Sequence, residues 1–154
     1  MTKKILFVSH CPSENTVQLR DAALDGIDSL KLVGFEVVSK SPLQADADDV
    51  NACHGIIIAT TENFGYMAGL VKDFFERIYY PCLESQQGLP LAFYVRAGED
   101  GQGTRLGIEK IITGLRWKLI AEPLILKGPY KPEFKEQVSE LAMTMAAGLD
   151  ANIF

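Results

Sequence analysis

The sequence predicts one α/β domain built as a three-layer sandwich, with helices covering both faces of an open, mostly parallel sheet. Five short segments are continuously apolar, as is typical of strands buried on both faces. Segments with helical spacing of apolar residues lie between them. The 154 residues suit a single domain over positions 1–154. A closed eight-stranded barrel would need roughly 250 residues, so it is excluded.

The elements alternate between strand and helix along the chain. Strands are predicted over residues 5–8, 36–38, 55–59, 91–95 and 119–126. Helices are predicted over 16–32, 67–80, 103–117 and 132–149, with a short helical segment at 43–51. This alternation predicts a parallel sheet with right-handed crossovers, and we expect the five strands in the order 2-1-3-4-5. Ligands bind where the strand order reverses, so we expect function after strands one, three and four.

Composition and charge disfavour several classes of partner. The net charge is −5, the pI is about 5.0 and Lys and Arg form no run, which argues against nucleic acid and anionic membranes. No apolar segment approaches the ~18 residues of a membrane span or forms a signal-peptide core, so we expect a cytoplasmic protein. Three widely spaced cysteines, Cys11, Cys53 and Cys82, fit reduced thiols and no metal site.

The loop after the first strand carries polar side chains at the start of a helix. Hydroxyl groups of Ser9, Ser13 and Thr16 and the amide of Asn15 gather there. Free backbone N–H groups and the positive end of the helix dipole favour an anion at this position. The loop therefore predicts a site for a phosphate monoester. For Ser13 or Asn15 taken singly, an N-cap is an equally good interpretation.

Spacing excludes several other chemistries for this loop. A low-molecular-weight tyrosine phosphatase needs Cys-x5-Arg, but Val17 lies six residues after Cys11. Residues 9–16 contain no glycine, so neither a Walker loop nor a dinucleotide fingerprint is present. A response regulator needs an aspartate at the end of the third strand, where Thr60 and Thr61 stand. No nucleophile and base pattern supports hydrolysis, and we assign no catalytic residue.

The loops after the third and fourth strands suit a flavin ring. Phe64, Tyr66 and Met67 offer an apolar wall, and nearby hydroxyl and amide groups suit the polar edge of the ring. Aromatic residues at a helix start are also common core residues, which is the alternative. In the glycine-rich loop at 96–103, Gly98 and Gly101 permit close backbone approach to a ligand, although a plain turn has the same composition.

Two segments resemble known flavin-binding loops. Residues 9–19, SHCPSENTVQL, are similar to the phosphate loop GSxRxxxNTxxL of flavodoxin-like NAD(P)H-dependent FMN reductases, and SENT within it resembles the TGNT of flavodoxins. Residues 55–77 resemble the second flavin loop and the following helix of that family. Cys11 stands where the reductases have arginine, and Glu14 where flavodoxins have glycine.

The resemblance implies an FMN protein that accepts hydride from NAD(P)H and passes electrons to a quinone, a free flavin or a protein acceptor, with the flavin performing the chemistry. The alternatives are a non-enzymatic electron carrier and a flavodoxin-fold binding module that has lost the flavin. The candidate cofactor residues are Ser9, Ser13, Glu14, Asn15, Thr16, Thr60, Thr61, Glu62, Asn63, Phe64, Gly65, Gly98 and Gly101. Relatives often form dimers or tetramers, and we expect contacts at Tyr79, Tyr80 and Pro81.

Overall fold

The computed structural model describes residues 2–154, and its strands and helices alternate as expected. The strands are β1 (Lys3–Ser9), β2 (Phe35–Lys40), β3 (Gly55–Asn63), β4 (Tyr66–Met67), β5 (Pro90–Ala97), β6 (Lys118–Leu119) and β7 (Leu124–Lys127). The helices are α1 (Glu14–Ser29), α2 (Ala47–Ala52), α3 (Gly69–Leu83), α4 (Gln102–Leu115) and α5 (Glu133–Asp150). No helix within the described range is long and apolar enough to span a membrane.

The parallel sheet has the order β2-β1-β3-β5-β6, and β7 also pairs with β5. The short strand β4 is antiparallel to β3 and lies off this path. With β4 set aside, the predicted order 2-1-3-4-5 is confirmed, because β6 and β7 together take the place of the fifth strand. The sheet therefore reverses its order between β1 and β3, where a ligand site is expected in an open α/β sheet.

Both faces of the sheet are buried, which explains why its strands are continuously apolar. In β1, Ile5 and Phe7 pack into the cluster that α1 and α5 cover, while Leu6 and Val8 pack into the opposite cluster with α2, α3 and α4. Alternate side chains of one strand thus enter different cores. The predicted three-layer sandwich is confirmed.

The fifth predicted strand is interrupted. Residues 119–126 were expected to form one strand, but the ladder ends at Leu119 and resumes at Leu124. Pro123 lies in the gap, and proline has no N–H to donate to a neighbouring strand. The edge of the sheet is consequently made of two short segments that pair with different ends of β5.

Other boundaries differ where capping or pairing takes precedence over periodicity. Helix α1 begins at Glu14 because Ser13 caps it, and it ends before Lys31, which has a positive φ of 50°. Strand β3 continues to Asn63 rather than ending at 59, and Met67, predicted as the first residue of a helix, pairs with it in β4. The segment expected to be a flavin loop is therefore a hairpin.

Candidate functional site

The loop after β1 ends in a reciprocal cap on helix α1. The backbone N–H of Thr16 donates to Ser13 Oγ at 3.3 Å, and the backbone N–H of Ser13 donates to Thr16 Oγ1 at 3.0 Å. The Thr16 hydroxyl also donates to the carbonyl oxygen of Ser13 at 2.8 Å. The N–H groups of Glu14 and Asn15 lie in the first turn, where a helix offers no internal acceptor. They are the natural donors for an anion at this end of α1.

The same loop is fixed to the sheet beside the reversal point. Ser9 is buried at the end of β1, and the backbone N–H of His10 donates to the carbonyl oxygen of Ala59 in β3 at 3.0 Å. Burial lowers the pKa of the His10 imidazole below its usual 6.5, so the ring is mainly neutral at pH 7. His10 therefore adds little positive charge to an anion site at neutral pH.

All three cysteines are free thiols whose pKa values are raised by burial. The pKa of Cys53 rises to about 12 and that of Cys82 to about 11, while the half-buried Cys11 also shifts upward. The thiolate is the reactive form, so these thiols are expected to be slow nucleophiles. Within residues 2–154, no three His, Cys, Asp or Glu side chains cluster to hold a metal ion.

We expect an aromatic disulfide reagent at pH 7.5 to label one thiol slowly in the folded protein. Cys11 is the only one of the three that is not buried, and the pKa values of Cys53 and Cys82 leave about one thiol in a thousand or fewer ionised. Absorbance of the released thiolate, with and without denaturant, measures the number of reactive groups. A Cys11→Ser variant should show no reaction until it unfolds, and rapid labelling of that variant would contradict the assignment.

Strands β3 and β4 form a tight hairpin beyond the sheet edge. Glu62 pairs with Met67 and Asn63 with Tyr66, leaving Phe64 and Gly65 as a two-residue turn. Both turn residues have positive φ, 53° for Phe64 and 74° for Gly65, as a type I′ hairpin turn requires. That conformation is unfavourable for a bulky residue, yet Phe64 adopts it and its ring is fully exposed.

The base of this hairpin is held by Thr60. Its side chain is 2% exposed, and its Oγ1 accepts from the backbone N–H of Ala68 at 3.0 Å. The same hydroxyl donates to the carbonyl oxygen of Thr61 at 2.9 Å. Thr60 was predicted as a cofactor residue, and its hydroxyl is engaged in these two internal bonds. These two bonds hold the base of the hairpin in place.

A carboxylate joins the hairpin to the loop after β5. Glu62 Oε1 accepts from the backbone N–H of Glu99, and Oε2 accepts from that of Gly101, each at 2.8 Å. Gly101 has a φ of 69° and is the N-cap of α4. The first turn of α4 also lies against the hairpin tip, since a Cβ on Gly103 would clash with the carbonyl oxygen of Gly65.

The three predicted loops meet at one edge of the sheet, because they follow the adjacent parallel strands β1, β3 and β5. The side chains of Glu14 and Asn15 are exposed there, and a side chain at Gly98 would point into open space. Sequence reasoning placed Glu62 along a flavin ring and missed its bonds to the loop after β5, because no local pattern connects residues so far apart.

Tyr80 is exposed near the far end of α3, and its role in an oligomer stays a prediction.

Solved structures share this architecture over nearly the whole chain. A flavodoxin from the domain Archaea superposes with a TM-score of 0.80 at 16% identity. The superposition covers 95% of this chain and 98% of the flavodoxin chain. Flavodoxin 2 from Bacillus cereus gives a TM-score of 0.74 at 22% identity, covering 98% and 99%. Rubredoxin oxygen:oxidoreductase from Desulfovibrio gigas gives 0.78 at 13% identity, covering 99% of this chain but 37% of the larger protein.

The sequence itself matches no protein-family model and no curated protein. Identities of 22% or less show a common fold and do not transfer a ligand or an activity. The order of the parallel strands, the three layers and the near-complete coverage in both directions agree with one another. The chain has the flavodoxin-like fold.

Proposed function

We propose that this protein binds one FMN at the carboxyl edge of the sheet and works as an oxidoreductase that passes electrons through the flavin from a donor to an acceptor. The observation that carries the proposal is the position of the α1 N-terminus, which follows β1 at the reversal of strand order, where the loop after β1 bonds to the neighbouring strand β3. A phosphate at a helix N-terminus and a ring against the neighbouring loops are what such an edge can hold. Flavodoxins are among the structures with the same fold.

The residues at this edge fit the parts of FMN. Ser9, Ser13, Glu14, Asn15 and Thr16 form the loop for the phosphate, with the N–H groups of Glu14 and Asn15 as donors. The ring would lie along residues 61–65, where the Thr61 hydroxyl already donates to Asn63 Oδ1 at 2.8 Å and orients it. Gly98 leaves room for a ligand to approach the backbone of the third loop.

The flavin supplies the redox chemistry, so the chain needs only to bind and orient it. We infer further that NAD(P)H is the donor and that a quinone, a free flavin or a similar molecule is the acceptor. The net charge of −5 supports this choice, since it is modest for a carrier that docks to a reductase through an acidic surface. The exposed Phe64 at the hairpin tip offers an apolar contact beside the proposed ring position.

The first experiment is an absorbance spectrum of purified protein before and after excess FMN is added and the unbound fraction is removed. Retained bands near ~375 and ~450 nm, positions set by the flavin, would support the proposal. Riboflavin should be retained more weakly, because it lacks the phosphate that the α1 N-terminus would bind. If the protein retains neither flavin, the proposal is wrong, and the alternative of a binding module that has lost the flavin is favoured.

Steady-state oxidation of NADH or NADPH by the FMN-loaded protein tests the reaction class. Sustained turnover with a quinone or free flavin would support the oxidoreductase. Reduction that occurs only when a separate flavoprotein reductase is supplied would instead identify an electron carrier. The two outcomes separate the hypotheses without knowledge of the physiological acceptor.

We expect Glu14→Gln to bind FMN about fivefold more tightly than the wild type while its affinity for riboflavin is unchanged. Glu14 is the first residue of α1 and its side chain is exposed. A carboxylate ~4 Å from a phosphate charge costs about 1 kcal/mol in water. Fluorescence titration with the two flavins measures the difference.

Glu133→Gln is the matched control, since Glu133 is the first residue of α5 and also contributes an acidic charge to a helix start. Both variants should lose a similar small amount of stability. Equal FMN affinity in Glu14→Gln and the wild type would place the phosphate away from α1.

A further inference from the structure

The start of α4 is an anion-binding cradle that the chain fills with its own side chain. The backbone N–H groups of Glu99 and Gly101 converge on the two oxygens of the Glu62 carboxylate, both at 2.8 Å. Convergent N–H groups at a helix N-terminus favour a negative charge. The carboxylate that these N–H groups bind belongs to the adjacent β3–β4 hairpin and not to loop 98–101.

The bonding pattern requires a carboxylate. Each of the two donors has its own acceptor oxygen, and an amide at position 62 would offer one acceptor oxygen and a nitrogen that cannot accept. The other acids nearby do not compete for these donors. Asp100 Oδ1 accepts from the backbone N–H of Gln102 at 3.1 Å, and the side chain of Glu99 is exposed.

The carboxylate connects the two segments along which the flavin ring is proposed to lie. The hairpin is fixed at its base by the bond between Thr60 and Ala68, and its tip rests on α4 where Gly65 meets Gly103. Glu62 lies between these two points, and its side chain bonds the hairpin to the backbone of loop 98–101. Without it, the loop would keep its two N–H groups but lose their link to the hairpin.

We propose that Glu62 is a positioning residue that clamps the hairpin to loop 98–101 and thereby fixes the relative position of the two segments that would hold the flavin ring. The inference rests on the proposed FMN function. Its structural part, a carboxylate bound in a backbone cradle, is measurable without any flavin. Two segments that are already held together spare a ligand the cost of ordering them.

Amide hydrogen exchange, followed by NMR on the flavin-free protein, tests the clamp directly. We expect Glu62→Ala to speed exchange of the Glu99 and Gly101 amides at least tenfold. The exchange rates in Glu62→Gln should lie between those of Glu62→Ala and the wild type. FMN titrated into the same samples should bind about tenfold more weakly to Glu62→Ala. Glu136→Ala, which removes an exposed carboxylate from α5, should change neither quantity.

Chemical rescue separates the clamp from a general loss of structure. Formate is small enough to enter the space that the Glu62 side chain leaves and carries the same two acceptor oxygens. We expect formate to restore both amide protection and FMN affinity to Glu62→Ala, and to leave the wild type unchanged. Chloride at the same ionic strength should not restore them.

The outcomes distinguish this inference from the proposed function. If the wild type binds no FMN, the proposed function fails, and the role of Glu62 in positioning the two segments for a flavin fails with it. If the wild type binds FMN but exchange in Glu62→Ala is unchanged, the clamp alone is overturned. Faster exchange with unchanged FMN affinity would also overturn it, because the bond would exist without positioning the cofactor site.

Discussion

Gly103→Ala is expected to destabilise the protein by about 1–3 kcal/mol and to weaken FMN binding about tenfold or more. A Cβ at position 103 would clash with the carbonyl oxygen of Gly65, a backbone atom that cannot move aside by changing rotamer. Either α4 or the hairpin must shift, and both carry ends of the Glu62 clamp. Alanine normally stabilises a helix relative to glycine by up to ~1 kcal/mol, so any loss here reports the clash.

Gly69→Ala is the matched control for this substitution. Gly69 is the first residue of α3, and a Cβ there has no atom within 4 Å. We expect its unfolding free energy to stay within about 0.5 kcal/mol of the wild type. Urea unfolding measures both variants. A Gly103→Ala protein as stable as Gly69→Ala, with wild-type FMN affinity, would show that the hairpin does not need to lie against α4.

Thr60→Val is expected to cost about 1–3 kcal/mol of stability although it preserves the shape of the side chain. The substitution removes the acceptor for the backbone N–H of Ala68, and both residues are buried, at 2% and 1% exposure. A buried donor without a partner loses its hydration and gains nothing in return. Because the bond holds the base of the hairpin, FMN binding should weaken in parallel.

Thr60→Ser tests whether the hydroxyl is responsible. Serine keeps the group that accepts from Ala68 and donates to Thr61, and it loses only a methyl group. Thermal unfolding and flavin titration should place this variant much closer to the wild type than Thr60→Val. If Thr60→Ser loses as much stability as Thr60→Val, the methyl group of Thr60 contributes as much as its hydroxyl, and the assignment to the hydroxyl alone is wrong.

The periodicity of the chain was enough to predict the layers of the fold. Strands such as β1 and β5 are apolar on both faces because both faces are covered, and the resulting runs of Ile, Leu, Phe and Val are visible without any structure. Helices α1, α3, α4 and α5 show the spacing of one buried face. Boundaries were less predictable, since they depend on caps such as Ser13 and on interruptions such as Pro123.

The candidate loops were also predictable, but their internal bonds were not. Polar and glycine residues after three strands indicated where a ligand site would form, and the sheet order brings those three loops together. Met67 was predicted to begin a helix, because a two-residue strand such as β4 leaves no periodic signal. The pairing of β4 with β3 depends on backbone hydrogen bonds that sequence spacing does not describe.

The sequence by itself determined the fold class, because burial on both faces and strand–helix alternation are local properties of the chain. The strand order and the ligand edge were predicted from the pattern common to such sheets. Only the tertiary structure decided that Glu62 bonds to Glu99 and Gly101, and that the Thr60 hydroxyl bonds to Ala68 and Thr61 at the base of the hairpin. These bonds form between segments that approach each other only after the sheet has assembled. Their partners are set by the distances between adjacent strand ends, which no local pattern of residues contains.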